Sequence, residues 1–380
     1  MSKKSEFIEY VKHGGKKIMC SPQIGAGAGY DSKLSGKEIV KTTIDDTIAV
    51  CERYNIHPLY NLGVNIGSVN PSKIKTETVY EKQLANGTET ASKIPTPYGD
   101  LVTKFVYRKE HGVLRTKAPL VDADDLDAVE WYLDMLLEGK YEQLGEEAAN
   151  AVNWIGDRGA VDFQFGLQPY ELFSLSDTND NVMLAYDEPE RFKQLMDKVL
   201  DIYRNILVQL GKAKADFVFL GGPAAEMVSP MIYDEYMVPW GRRATDYAHE
   251  NGLLVYSHVC SPVEPFLSKG YFNQLGIDLF ETLTPPPLGN VKSIEDAFSK
   301  CDRKMCTRGN VGIDVLINGT PDDVIERVYH ICEMTKLHNR KHMVAASDYL
   351  MAECKEENVQ ALVDTVEEWN KKNSLEPIKE

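Results

Sequence analysis

Leu253-Leu-Val-Tyr-Ser-His-Val-Cys260, followed by Ser261-Pro262, is the stretch whose reading decides the fold. It opens as a run of apolar and β-branched residues, the composition of a buried strand, and ends in two side chains able to bind a metal. Successive side chains on a strand point to opposite faces, so His258 and Cys260 project to the same side. An imidazole and a thiolate on one face at a strand's end are two ready ligands for a borderline-soft cation such as zinc. The same residues also read as a buried Cys beside a hydrogen-bonded core His. What surrounds them in the chain has to separate the two readings.

Working outward, strand-like runs occur at residues 17–23, 57–63, 161–167, 216–221, 253–259, 277–283, 304–310 and 342–348. Helical segments separate most of them, at residues 188–214, 229–251, 262–275, 293–301 and 321–337. Eight strands alternating with helices is the rhythm of an α/β chain folded as a (β/α)8 TIM barrel, with a doubly wound open sheet as the other arrangement of such a pattern. The stretch from about 65 to 120 breaks the rhythm. Lys, Thr, Gly and Pro are frequent there, and residues 76–120 read as an antiparallel β insertion of two or more hairpin strands in the N-terminal third. Asp122-Ala-Asp-Asp125 then caps the next helix. No composition shift marks a second domain, so the expected organisation is one barrel over residues 1–380 carrying that insertion.

The composition is that of an ordinary globular protein, 43% hydrophobic and 26% charged over 380 residues. A net charge of −16 argues against nucleic acid or an anionic membrane as partner, because phosphate binding needs clustered Lys and Arg. The seven cysteines form no CxxC pair, which favours a reducing compartment over a disulfide framework. The N-terminus has no apolar core of a signal peptide and no run approaches a membrane span, so a cytoplasmic location is expected. Gly25, Gly27 and Gly29 follow the first strand but fit neither nucleotide fingerprint; they read as a flexible strand-to-helix loop.

In a (β/α)8 barrel the chemistry lies at the C-terminal ends of the strands. Reading those ends off this chain gives Gln168, Glu226, His258 with Cys260, Glu281, Asn310 and Asp348. Glu281 ends the run Ile277-Asp-Leu-Phe-Glu281 and precedes Pro285-Pro-Pro287. A carboxylate so placed wants a cation or several donors, as metal ligand, catalytic base or partner of an Arg or Lys. Asp348 in Ala345-Ala-Ser-Asp348 follows the same pattern. Cys306 reads as core and Cys354 as a weaker ligand candidate. Phe163, Phe165, Tyr170 and Tyr349 lie near strand ends, where they either wall a substrate or pack.

Several blocks resemble the uroporphyrinogen decarboxylase superfamily: Gly221-Gly-Pro-Ala-Ala225 with Ser229-Pro-Met-Ile-Tyr233 and Val238-Pro-Trp240, then Val255 to Cys260, Gly309-Asn-Val311 and Glu357-Asn-Val-Gln-Ala-Leu362. The resemblance covers roughly residues 160–370 and implies a (β/α)8 barrel. True decarboxylases of that superfamily carry an Arg-rich N-terminal loop and an Asp after the second strand. Here the matching regions read Pro22-Gln-Ile-Gly-Ala-Gly-Ala-Gly-Tyr30 and Tyr60-Asn-Leu-Gly63, with neither feature. The other branch holds zinc-dependent methyltransferases that exchange methyl groups with a corrinoid protein, and their His-x-Cys matches His258 and Cys260. Their third, thiolate ligand falls at Asp348. A harder ligand set makes zinc more Lewis-acidic and suits an ether oxygen better than a thiolate.

The resemblance therefore implies an O-demethylating methyltransferase. Zinc would be held by His258, Cys260, Glu281 and Asp348, with Glu281 and Asp348 catalytic and Phe163, Phe165, Gln168, Tyr170, Glu226, Asn310 and Tyr349 around the substrate. The methyl group would pass from a methoxylated, aromatic compound to the corrinoid (cobalamin) cobalt of a separate partner protein. A methylcobamide:thiol methyltransferase, a decarboxylase-type lyase and a metal-binding or corrinoid-docking module without turnover are the alternatives, and a homodimer is one possible assembly.

Overall fold

The computed structural model describes residues 1–108, 112–165, 175–222 and 227–378. Eight parallel strands form one curled sheet: β1 (Met19–Cys20), β2 (Leu59–Gly63), β3 (Ala160–Gln164), β4 (Phe217–Phe219), β5 (Leu254–His258), β6 (Leu279–Thr282), β7 (Cys306–Val311) and β8 (His342–Ala346). Each pairs with its successor from β2 to β8, and β8 pairs with β1. The two remaining edges, β1 and β2, meet through the His57 N–H donating to the Cys20 carbonyl (3.3 Å) and Ser21 Oγ donating to the His57 carbonyl (2.6 Å). The order is that of a (β/α)8 barrel, as the strand rhythm predicts.

Helices wrap the outside. The strongly amphipathic Pro189–Lys212 buries Phe192, Leu195, Met196, Val199 and further apolar residues at helical spacing against the sheet. Pro321–Leu337 begins at the boundary the sequence marks, because Thr320 and Asp323 form a reciprocal capping box. Helices that the sequence reading did not mark include Tyr30–Ser35, Thr178–Asp187 and Ile313–Asn318. The first has only six residues and is bounded by left-handed Gly29 and Gly36, so no periodicity announces it.

Helix α1 (Lys3–His13) plugs the bottom of the barrel. Its Phe7 meets Phe217 edge to face at 5.7 Å, and the Tyr10 hydroxyl donates to the His342 carbonyl. Together with Met19, Leu59, Ala160, Leu279, Cys306 and Met343 they form a closed apolar floor. Cys306 thus lies in the core, as its place inside a strand predicts. Inward-facing positions recur every second residue, so above that floor come Asn61, Asp162, Glu281 and Arg308, then Gln164, His258 and Asn310. The upper half of the barrel interior is polar.

The predicted insertion is four antiparallel strands, Glu77–Leu84, Gly87–Thr96, Gly99–Arg108 and Gly112–Lys117, in successive hairpins. Its last strand docks on loops at the C-terminal end of the barrel. Gly112 sits against Ile39 and the Gly27 carbonyl, near the loop after β1. At the other end Arg115 donates to the Ser176 carbonyl (2.8 Å) and pairs with Asp177, beyond β3. Among the described residues no helix is long and apolar enough to cross a membrane.

Candidate metal centre

The end of β5 presents His258, two residues before Cys260, and the turn after β8 presents Asp348. One donor atom from each of these three side chains lies within 4.8 Å of the other two. His258 Nε2 stands 3.5 Å from Asp348 Oδ1. Two ligands about 2.1 Å from a tetrahedral metal are separated by roughly 3.4 Å, so this pair already has the spacing a zinc ion requires. One nitrogen, one sulfur and one carboxylate oxygen form a donor set that zinc accepts, with one position left over. The residues fit the ion.

Glu281 does not join them. It faces His258 directly in the β5–β6 register, and its Oε1 accepts from His258 Nδ1 at 2.9 Å. Its other oxygen takes the guanidinium of Arg308, which pairs with it through both Nε and a terminal nitrogen. Both oxygens are engaged and the residue is fully buried. The expectation of a fourth direct ligand is thereby corrected: both Glu281 oxygens are taken, and it stands behind the candidate ligand His258. The bond to Nδ1 fixes the imidazole so that Nε2 faces Asp348 and the mouth, the arrangement that orients metal-bound histidines. Arg308 is in turn braced by the Ser21 hydroxyl at 3.3 Å.

Electrostatics follow from this packing. Burial disfavours the charge on Glu281, yet Arg308 and the bond from His258 hold its carboxyl below the usual range. Burial also disfavours an imidazolium at His258, but hydrogen bonds to Asp348, Cys260 and Glu281 outweigh it and raise its pKa well above the ordinary value. Three acidic groups around one imidazole make a pocket that wants positive charge.

Asp348 is held by its own turn and by the loop after β1. The Tyr349 N–H donates to Asp348 Oδ1 at 2.7 Å. The Leu350 N–H reaches the Gln23 carbonyl (2.9 Å) and the Ala352 N–H the Ala28 carbonyl (3.2 Å). Gly29 makes this approach feasible: its φ is +96°, and a Cβ there would lie 3.1 Å from Ile39 and 3.2 Å from Ala352. The glycine-rich strand-to-helix loop is the strap that fastens the turn after Asp348. A cleft of about 360 Å³ opens beside it, lined by Ala26, Gly27, Ala28, Asp348 and Tyr349.

A second polar set adjoins the first. Asp162 is wholly buried, and its Oδ2 accepts from Asn61 Nδ2 (2.9 Å), the Tyr256 hydroxyl (3.0 Å) and Gln164 Nε2 (3.3 Å). The Tyr256 hydroxyl in turn accepts from Asn61 (2.8 Å) and Gln164 (2.9 Å). Tyr349 donates to Asn61 Oδ1 at 2.7 Å and lays its ring 5.3 Å from that of His258. Burial pushes the Asp162 carboxyl up to about 7 against the pull of its three donors. Among the described residues its Oδ1 has no partner, and neither has either amide atom of the buried Gln23.

The other sequence candidates divide. Tyr349 lies in the site, and Asn310 is buried in the upper barrel, donating to the Leu283 carbonyl at 3.1 Å. Phe163 points away from the barrel axis into the outer core, because its neighbours Asp162 and Gln164 point inward. Phe165 packs on Tyr203 at 5.0 Å. Both are packing residues, not substrate walls. Cys354 is buried, with its thiol pushed up to about 11 by burial, and stays outside the donor cluster. Gln168, Tyr170 and Glu226 lie outside the described residues. The sequence reading missed Asn61, Asp162, Gln164, Tyr256 and Arg308; the signal available was polar residues at inward positions of otherwise apolar strands.

The family model described as uroporphyrinogen decarboxylase matches residues 171–369. Uroporphyrinogen decarboxylase from Prochlorococcus marinus strain NATL1A is 23% identical over 230 residues, 59% of this chain and 61% of its own length. The same enzyme from strain NATL2A of that organism is also 23% identical over 230 residues, with the same shares of the two chains. The chain thus spans about three fifths of the length of these relatives. A solved structure of a methyltransferase from Methanosarcina mazei shares the fold, with a TM-score of 0.64 over 97% of this chain and 99% of that one at 13% identity.

Proposed function

The chain belongs to the uroporphyrinogen decarboxylase family, and from that premise we propose that it is the zinc-dependent component of a methyl-transfer system. It moves a methyl group from a methoxylated aromatic compound to the cobalt of a corrinoid carried by a partner protein. The convergence of His258, Cys260 and Asp348 at the barrel mouth carries this reading. Three converging donors among the described residues suit a catalytic zinc site that keeps one position for substrate, and this favours an enzyme over a docking module. Decarboxylation is disfavoured by the loop 22–30, which holds no Arg, and by Arg308, whose guanidinium is committed to Glu281.

His258, Cys260 and Asp348 would hold the zinc, and the bound ion would supply Lewis acidity toward the ether oxygen as the methyl group leaves. The chain's own contribution is positioning. Glu281 and Arg308 fix the His258 ring, the Tyr349 N–H fixes Asp348, and the β1 strap fixes the turn that carries both. Tyr349 sets its ring at a tilt beside that of His258, 5.3 Å away, and narrows the space open to water there. The Asp in place of a second thiolate favours an oxygen leaving group over a thiol acceptor.

The test is zinc analysis together with methyl transfer from a methoxybenzene series to free cob(I)alamin, followed by its absorption spectrum. One zinc per chain and transfer that both disappear in His258→Ala are expected. Retention of zinc and activity in that variant would overturn the reading.

A further inference from the structure

The hydrogen bonds around Asp162 set which atoms of its neighbours turn inward and which face the mouth. Asp162 Oδ2 accepts from three donors, so the proton that the carboxyl takes up belongs on Oδ1, which has no partner among the described residues. Every group bonded to Oδ2 must therefore donate. Asn61 and Gln164 accordingly turn their amide nitrogens inward, to Asp162 and to the Tyr256 hydroxyl, which spends its own hydrogen on Asp162. Their carbonyl oxygens then face the other way. That of Asn61 is taken by the Tyr349 hydroxyl. That of Gln164, a half-buried residue at the C-terminal end of β3, has no partner among the described residues. No basic side chain belongs to this set, and Arg308, the buried guanidinium of the same barrel, is spent on Glu281 and Ser21.

We infer that Gln164 is a specificity-determining residue whose carbonyl oxygen accepts a hydrogen bond from a hydroxyl or N–H group of the substrate, and that Asp162 is the positioning residue that holds it in that orientation. This rests on the reading of the mouth as the methyl-donor site, and it narrows the donor to ethers that also carry a hydrogen-bond donor. An amide free to rotate would present either its nitrogen or its oxygen and select nothing. The buried carboxylate removes that freedom, because turning the Gln164 oxygen inward would set acceptor against acceptor.

The experiment compares 2-methoxyphenol with methoxybenzene by calorimetric binding to the zinc-supplied full-length chain. Methyl transfer is measured separately, so that failure of the reaction and failure of this inference are distinguishable. The native chain should bind the hydroxylated compound about tenfold more tightly, since a site built for a hydrogen bond leaves a buried group unpaired with the analogue that lacks it. Gln164→Leu should cut the ratio to about twofold or less by weakening only the hydroxylated compound. Asp162→Leu should do the same through Gln164. Asp162→Asn should keep the preference, because its carbonyl oxygen still accepts the three donors. Equal binding of the two compounds by the native chain, no binding of 2-methoxyphenol, or an undiminished ratio in a folded Gln164→Leu chain would each overturn the inference.

Discussion

Asp162→Asn exchanges a buried carboxyl for a neutral isostere, and its effect should appear in how stability depends on pH. In the native chain the carboxyl titrates near 7, not at its ordinary 3.8, because burial penalises its charge more than Asn61, Tyr256 and Gln164 favour it. In the unfolded chain it returns to the ordinary value. Between the two, the folded chain holds a proton that the unfolded chain has lost, so stability falls as pH rises. The contribution is fully present below about pH 4 and gone above about pH 7. The rise is roughly three pH units, which at about 1.36 kcal/mol for each amounts to about 4 kcal/mol. Above the isoelectric point of 5.1, a window from about pH 5.5 to 8.5 contains roughly 2 kcal/mol of it. With an unfolding entropy of about 2.1 cal/mol/K per residue over 380 residues, that corresponds to roughly 2–3 °C in Tm. The assay is thermal unfolding of both chains, chelator-treated, across that window. Other titrating groups are common to both and cancel in the difference. The Tm of Asp162→Asn relative to native should climb by that amount between the two ends. A difference flat to within about 0.5 °C would refute the argument that Asp162 is folded in its protonated form below neutrality.

Removing either donor from β5 should have a plainer result: His258→Ala and Cys260→Ala each lose most bound zinc, as read by elemental analysis, and full occupancy in the double variant would end the metal reading of this strand. Asp348→Cys should keep about one zinc per chain while slowing methyl transfer from an ether, because a second thiolate donates more charge to the ion; Asp348→Ala should lose both. Glu281→Gln should weaken zinc binding by about 10–100-fold without removing a ligand, measured by competition with a chromogenic chelator. It also strands the Arg308 charge in the barrel, at a cost of about 3 kcal/mol or more in urea unfolding, and Arg308→Met added to it should restore part of that stability but none of the affinity.

The sequence by itself determined the fold and two of the three converging donors' common face. Strand identity follows from local composition, and the alternation of side chains along a strand is a property of the backbone, so His258 and Cys260 were bound to point together wherever that strand lay. Eight such runs with helices between them leave few architectures open, and the capping pairs at Asp122 and Thr320 announce helix starts from within a few residues. Only the tertiary structure decided what each buried polar group does. Asp348 and Glu281 look alike in sequence, each a carboxylate after an apolar strand. The register beside β5 and the guanidinium reaching across from β7 take up both oxygens of Glu281, whereas Asp348 stands past its strand, on a turn that the β1 loop straps over the mouth. Phe163 and Asp162 are neighbours in the chain, and which of them faced the barrel axis depended on the pairing of β3 with β2 and β4. The docking of the insertion on the loops beyond β1 and β3 and the hydrogen bonds around Asp162 depend on groups up to 288 residues apart. Local pattern fixes which way a side chain leaves its own strand, but a charge or a hydrogen bond is settled by whatever the rest of the fold brings within about 3 Å of it.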